Sequence, residues 1–188
     1  MLHFNLIVGL GNPEDQYEGT RHNVGFAVLD SFAGATGSWK DKFGAKVTEV
    51  RLGSEKVILV KPQTYMNRSG EPLQAVLGFY KVDMGSVVVV SDELDLPLGT
   101  MRIRRGGGTA GHKGLASISQ NCGGSDFTRL RVGVGRPENP EFDVADWVLG
   151  KFSSKDSVVV EEVLSKANNA LLMLLKDGLL AAQQNFSS

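Results

Sequence analysis

The sequence predicts a single-domain α/β globule in which a twisted mixed β-sheet is flanked by helices. Three observations carry this. Short β-branched runs alternate with segments of helical spacing along the chain. Val87 to Val90 is a run of four valines, the pattern of a central strand covered on both faces. One hairpin interrupts the alternation, so the sheet cannot be wholly parallel. The chain has 188 residues and is 41% hydrophobic, enough for one compact core, and no Pro/Ser-rich linker, repeat or charge block divides it.

The elements follow in order. Phe4 to Leu10 is an apolar run ending at Gly11 and reads as a buried strand. Gly25 to Phe32 has helical spacing and stops near Gly34 and Gly37. Lys46 to Leu52 alternates, Val57 to Val60 is β-branched and apolar, and Gly53-Ser54 between them reads as a hairpin turn. Ser69 to Tyr80 reads as a helix with Ser69 as its N-cap. After the valine strand, Met101 to Arg105 alternates as a strand with a basic face. His112 to Gln120 is helical, and Leu130 to Val134 is a further strand. Residues 137–153 carry Pro137 and Pro140 and read as a surface flap leading into Trp147-Val148-Leu149. Val158 to Lys176 is a strongly amphipathic helix, and Leu179 to Phe186 a second helical segment after Gly178, so the C-terminal helical region spans about 156–186.

Composition narrows the function. Cys122 is the one cysteine, which excludes a disulfide framework and a multi-cysteine zinc site. The apolar start, Leu6 to Leu10, is too short for a signal peptide or a membrane span and has no basic region before it, so a cytoplasmic protein is expected. The net charge of −1 conceals an asymmetry. From Met101 to Arg136, seven cations (Arg102, Arg104, Arg105, Lys113, Arg129, Arg131 and Arg136) face one acid, Asp126. That stretch carries +6 and leaves −7 to the rest. Two readings stay open: local contact with phosphate, or arginines paired with acids on a solvated face.

Of three histidines, His22 has the most telling company. It lies in Thr20-Arg21-His22-Asn23-Val24-Gly25, just after Gly9-Leu10-Gly11-Asn12-Pro13, and Asn12, Asn23 and Asn67 all stand at chain reversals. A histidine moves protons near neutral pH, and amides suit a peptide-like substrate. The Gly9 run is no dinucleotide fingerprint, because Glu14 stands where the third glycine is needed; a glycine turn presenting Asn12 fits better. Gly106 to Gly114 resembles a phosphate loop, but His112 and Gly114 break the nucleotide-hydrolase pattern. Its backbone N–H groups, with Arg104 and Arg105, suit one phosphate of a larger ligand; a plain flexible turn is the alternative. Ser91-Asp92-Glu93-Leu94-Asp95 follows the valine strand, where α/β proteins place sites, and one acid there would orient His22. A Mg2+ site lacks further carboxylates, and no metal is expected. In Lys61 to Gly70, Asn67 either meets a peptide backbone or caps the next helix. No nucleophile elbow is present, and Cys122 has no histidine partner in sequence, so covalent catalysis is not indicated.

The ordered set of these segments resembles bacterial peptidyl-tRNA hydrolases. It comprises Gly9 to Pro13, Thr20 to Gly25, Lys61 to Asn67, Asp92 to Pro97, Gly106 to His112 and Phe127-Thr128-Arg129-Leu130-Arg131-Val132-Gly133. The resemblance implies cleavage of the ester between a peptide and the terminal ribose of tRNA, recycling tRNA from stalled or aborted translation. It implies His22 as general base, Asp92 rather than Asp95 as the residue that keeps it basic, and Asn12 and Asn67 holding the peptide backbone and the attacked carbonyl. Tyr17, Tyr65 and Met66 match cleft-lining positions, His112 and Lys113 fall among the substrate-binding positions, and Arg104 and Arg131 match positions that grip tRNA phosphate. The resemblance further implies a monomer with no cofactor, peptidyl-tRNA as partner, no membrane association and no obligate protein partner. One departure stands out: the family usually has Asn where Lys113 stands. Asn donates and accepts, whereas Lys only donates, so Lys113 either meets a phosphate or turns outward. Two rivals remain at this level. A non-enzymatic RNA-binding relative such as the plastid splicing factors would arrive with a transit peptide, which is not expected here. A hydrolase of small esters would not need the basic zone.

Overall fold

The computed structural model describes residues 1–187. Strands β1 (Leu6–Gly9), β2 (Lys40–Lys42), β3 (Ala45–Leu52), β4 (Glu55–Pro62), β5 (Val87–Glu93), β6 (Met101–Arg105) and β7 (Thr128–Gly133) form one sheet of seven strands in the order β2-β3-β4-β1-β5-β7-β6. The centre is parallel: β1 pairs with β4 and β5, and β5 pairs with β7. The flanks β2, β3 and β6 are antiparallel to their neighbours. The mixed sheet expected from the hairpin is therefore present. Leu52 pairs with Glu55 across Gly53-Ser54, and Gly53 takes φ +64, the left-handed value that a two-residue hairpin turn demands.

Helices cover both faces. Helices α1 (Val24–Ala33), α5 (Ser157–Asp177) and α6 (Leu179–Phe186) enclose one core with Ile7, Val88, Val90, Leu130 and Val132. Helices α2 (Gly70–Tyr80) and α3 (Lys113–Asn121) enclose the other with Leu6, Val8, Val60, Val87 and Val89. The alternation within β5 explains the valine run: successive side chains fill opposite cores, so neither face tolerates a polar residue until Ser91. Helix α4 (Val144–Val148) lies within the 137–153 segment. No helix among the described residues is long and apolar enough to cross a membrane.

The glycines of the Gly9 to Pro13 turn serve close packing. A Cβ on Gly25 of α1 would lie 2.6 Å from Leu10 N, Leu10 O and Val90 O, and one on Gly9 would lie 2.4 Å from Gly25 O. Helix α1 thus rests directly on the backbone of β1 and β5. This contact brings the Thr20 to Gly25 turn to the carboxyl end of the parallel strands, the usual place for an α/β site.

Two details differ from the sequence reading. Neither Ser69 nor Asn67 caps α2; a 3-10 turn, Met66–Arg68, feeds the helix, and Ser69 Oγ donates back to Met66 O at 2.8 Å. Strand β2 was not expected, because Lys40, Asp41 and Lys42 are all exposed and show no apolar alternation.

Candidate active site

Asn12 follows β1, Met66 and Asn67 follow β4, and Asp92 ends the buried part of β5. All three strands run parallel, so these residues meet at one end of the sheet. A cleft of about 580 Å³ opens there, lined by Asn12, His22, Tyr65, Met66, Asn67, Asp92, His112, Lys113 and Arg131. Strand β6 runs the other way, and the glycine-rich loop after it climbs back to the cleft, where Thr109 to Lys113 form part of its wall.

Asp92 is the hub. It is 5% exposed and bridges two histidines: His22 Nδ1 lies 2.9 Å from its Oδ2, and His112 Nε2 lies 2.8 Å from its Oδ1. Burial alone would raise its pKa. The charge and hydrogen bond of His112, then those of His22, outweigh burial and hold the carboxyl well below the usual carboxylate range.

The proton positions on both rings follow from hydrogen bonding. His112 Nδ1 accepts the Gly114 and Leu115 N–H groups at 3.1 and 3.2 Å and so caps α3. A nitrogen that accepts two N–H groups carries no proton, so the proton sits on Nε2 and is donated to Asp92. Asp92, an acceptor only, likewise takes a proton from His22 Nδ1, which leaves Nε2 of His22 as an unshared base at the cleft. His22, Asp92 and His112 offer three potential metal-ligand atoms close together. Ligation fits them poorly, because the capping bonds keep the proton on the His112 nitrogen that faces Asp92.

Asn12 is locked from two sides. Its N–H donates to Asn23 Oδ1 at 2.8 Å and its carbonyl accepts from Asn23 Nδ2 at 2.9 Å. Met66 N–H donates to Asn12 Oδ1 at 2.8 Å. That bond fixes the orientation of the amide, so Nδ2 is the donor that Asn12 offers to a ligand. Asn67 is exposed in the cleft, and no hydrogen bond engages its side chain among the described residues. Tyr65 lies at the rim, and its hydroxyl donates to Glu14 Oε1 at 2.6 Å, a partner the sequence did not suggest. That bond, with the Glu14 charge, raises the Tyr65 pKa. Tyr17, in a neighbouring 3-10 turn, is half-buried and does not line the cleft.

The basic zone divides. Arg105 pairs with Asp126, Arg131 with Glu93 and Arg136 with Asp95, so the reading of arginines paired with acids holds for these three. Arg129 is 1% exposed and donates to the carbonyls of Gly107, Gly108 and Ser125, pinning the glycine-rich loop. Arg102, Arg104 and Lys113 have no carboxylate within salt-bridge distance among the described residues. Arg131 lines the cleft. Arg104 does not: it stands opposite Arg129, toward the far end of β6, exposed on the same sheet face. Arg102, which sequence reasoning passed over, stands opposite Arg131 and nearer the cleft. Burial pushes the Cys122 thiol up to about 11, which leaves it protonated and a poor nucleophile.

Known proteins resemble this chain along nearly its whole length. The profile of a family described as Peptidyl-tRNA hydrolase matches residues 6–188. A peptidyl-tRNA hydrolase of Bdellovibrio bacteriovorus is 43% identical over 97% of this chain and 99% of its own length. One from Pseudarthrobacter chlorophenolicus is 47% identical over 96% of this chain and 94% of its own. The crystal structure of peptidyl-tRNA hydrolase from Acinetobacter baumannii superposes with a TM-score of 0.90 at 34% identity, covering 98% of this chain and 94% of that one.

Proposed function

The chain belongs to the peptidyl-tRNA hydrolase family, and we propose from that premise that it hydrolyses the ester joining peptide to tRNA by general-base catalysis at His22. The observation that carries the proposal is the free Nε2 of His22, left unshared because Nδ1 donates to Asp92. A water beside that nitrogen gives up its proton to Nε2 while its oxygen attacks the ester carbonyl. Asn12 Nδ2–H, with Asn67, donates to the oxyanion that forms. Collapse breaks the bond to the terminal ribose oxygen, which takes the proton back from Nε2–H. The products are a free peptide carboxyl group and tRNA with its hydroxyl restored.

Asp92 keeps His22 in the correct tautomer, and His112 holds Asp92 in turn. Tyr65 and Met66 flank the peptide, with Tyr17 near Tyr65 but outside the cleft lining. Arg104 and Lys113 contact phosphate, joined by Arg131 through the guanidinium nitrogen that its bond from Nη1 to Glu93 leaves over. The whole chain acts as one domain, with 137–153 as a flap over the cleft and 156–186 as a C-terminal helical buttress. It works as a cytoplasmic monomer that needs neither a metal nor another cofactor.

The test is release of tRNA from an N-blocked aminoacyl-tRNA. His22→Ala should lower kcat by ~10²–10⁴ and leave KM within about threefold, since phosphate contacts are untouched. Equal loss in kcat and in tRNA affinity would refute the role of His22.

A further inference from the structure

We infer that Arg21 is a positioning residue for this reaction: it clamps the α4 wall of the cleft to the turn that carries His22. The inference rests on the general-base reading of His22 given above.

Arg21 stands immediately before His22 and is 8% exposed, unusual for a cation with no carboxylate bonded to it among the described residues. Its guanidinium lies 3.5 Å from the centroid of the Trp147 ring, and Nη1 donates to Trp147 O at 3.1 Å. Its backbone N–H donates to Gly150 O at 3.0 Å. The fit is close, since a Cβ on Gly150 would lie 2.9 Å from Arg21 Nη1. Trp147 belongs to α4 and is itself anchored, because Nε1 donates to Gly135 O at 2.8 Å. Two further backbone ties join the same segments, a bridge between Thr20 and Lys151 and a bond from Phe152 N–H to Gly19 O at 3.3 Å.

The other face of α4 is what the clamp positions. Val144, Ala145, Val148 and Leu149 form an aliphatic wall of the cleft that contains His22. Val144 and Leu149 are 37% and 40% exposed, available to pack against whatever occupies the cleft. The spacing between this wall and His22 Nε2 therefore sets how a bound ester sits against the base. Arg21 suits the task as Lys would not: its plane stacks on the indole while its fork reaches a carbonyl. A displacement of about 1 Å of a reacting group can cost on the order of 10²-fold in rate. Neither Arg21 nor Trp147 is bonded to Arg104, Arg131 or Lys113 among the described residues, so the clamp leaves the phosphate contacts in place.

The expected signature is a split between kcat and KM. Arg21→Lys and Trp147→Leu should each lower kcat by ~10-fold or more, with KM unchanged within about threefold. Trp147→Phe, which keeps an aromatic face, should recover most of the loss. Because the two residues act as one device, the double variant Arg21→Lys/Trp147→Leu should be no slower than the slower single variant. The measurement is single-turnover release of tRNA from an N-blocked aminoacyl-tRNA, with thermal melting of each variant in parallel. Additive losses overturn the inference, as does an unchanged kcat accompanied by a lowered Tm. If Arg21→Lys does not fold, Trp147→Leu against Trp147→Phe decides alone, and equal rates for those two overturn it. His22→Ala is run beside them: full activity in that variant refutes the general-base reading, independently of the clamp.

Discussion

Replacing Asp92 with asparagine preserves the shape of the side chain and turns one of its two acceptors into a donor. In the wild type both oxygens accept, one from His112 Nε2 and one from His22 Nδ1. His112 has no freedom to adapt, because its Nδ1 is held as an acceptor by Gly114 and Leu115 N–H. In the Asp92→Asn variant the one remaining side-chain oxygen must serve His112, and the new NH2 group faces His22. His22 answers by moving its proton to Nε2, so that Nδ1 accepts. The nitrogen facing the cleft then carries a hydrogen and is no longer a base. General-base assistance is typically worth ~10²–10⁴-fold, or about 2.7–5.4 kcal/mol at 1.36 kcal/mol per decade. Asp-to-Asn changes that trap a histidine in the wrong tautomer reach the top of that range. We expect kcat to fall by ~10³–10⁴ with KM within about threefold, measured by single-turnover release of tRNA from N-blocked aminoacyl-tRNA at neutral pH. Asp92→Ala is the informative companion. It breaks both bonds but imposes no tautomer, so the isosteric Asp92→Asn variant should be no more active than Asp92→Ala. A folded Asp92→Asn protein with kcat within about threefold of wild type would refute the reasoning. So would activity of Asp92→Asn well above that of Asp92→Ala.

Further outcomes follow from the same geometry. The Asp92 carboxyl has a native pKa below its unfolded value of ~3.9, so its contribution to stability is complete above that value and is lost as pH falls through the native one. The gap in urea midpoint between wild type and Asp92→Asn should accordingly stay constant from pH 7 to about 5 and close below about 4; a gap that widens toward acid contradicts this sign. Gly25→Ala should lower stability by ~1–3 kcal/mol through overpacking, because the added methyl meets backbone atoms of Leu10 and Val90 that cannot give way. That corresponds to a Tm lower by ~2–12 °C, and an unchanged melting curve would show that α1 does not rest on β1 as described. Arg104→Gln should raise KM without changing kcat and reduce the slope of log affinity against log salt by ~0.9. Arg105→Gln, whose charge is already met by Asp126, should change the slope much less, and equal slopes would count against Arg104 as a phosphate contact.

What was legible in the sequence depended on how local its cause was. β-branched alternation fixes strands, so β3 to β7 fell close to the expected bounds, and α1, α5 and α6 followed from apolar spacing. Strand β2 is held at the sheet edge by backbone pairing to β3, an ion pair from Asp41 to Lys46 and the approach of Lys42 to Phe79 and Tyr80, none of which leaves an apolar alternation on Lys40-Asp41-Lys42. Charge counting failed for a similar reason. Two of the acids that neutralise the basic stretch, Glu93 and Asp95, lie outside it and reach it only because β5 and β7 pair. Arg129 counted as a surface cation, yet it is inside, bonded to three carbonyls. Asn12 and Asn67 stood out as candidates because each follows a strand in a short turn, His22 because it sits in the turn before α1, and Asp92 because it stands at the carboxyl end of β5; the structure brings all four to one cleft. The bridging of Asp92 by His112 did not stand out, since it depends on the glycine-rich loop doubling back from β6 to the cleft.

The different duties of the two histidines follow from what their second nitrogens meet. Both donate to one carboxylate, and in isolation the pair would be symmetrical. The start of α3 breaks the symmetry. Its first N–H groups need acceptors, and His112 Nδ1 supplies one, at the cost of any proton on that atom. His112 is thereby held as a donor to Asp92 and cannot flip without uncapping a helix. His22 lies in a 3-10 turn with no such demand on its Nε2. The requirement that a helix end be satisfied thus decides which ring keeps an unshared nitrogen, and in the proposed mechanism that ring is the base. Glycine at position 114 belongs to the same logic. A Cβ there would lie 2.6 Å from Met66 Sδ, 2.9 Å from Leu10 Cδ1 and 3.0 Å from His112 Cε1, so a side chain would crowd Met66 and Leu10 against the ring that caps the helix.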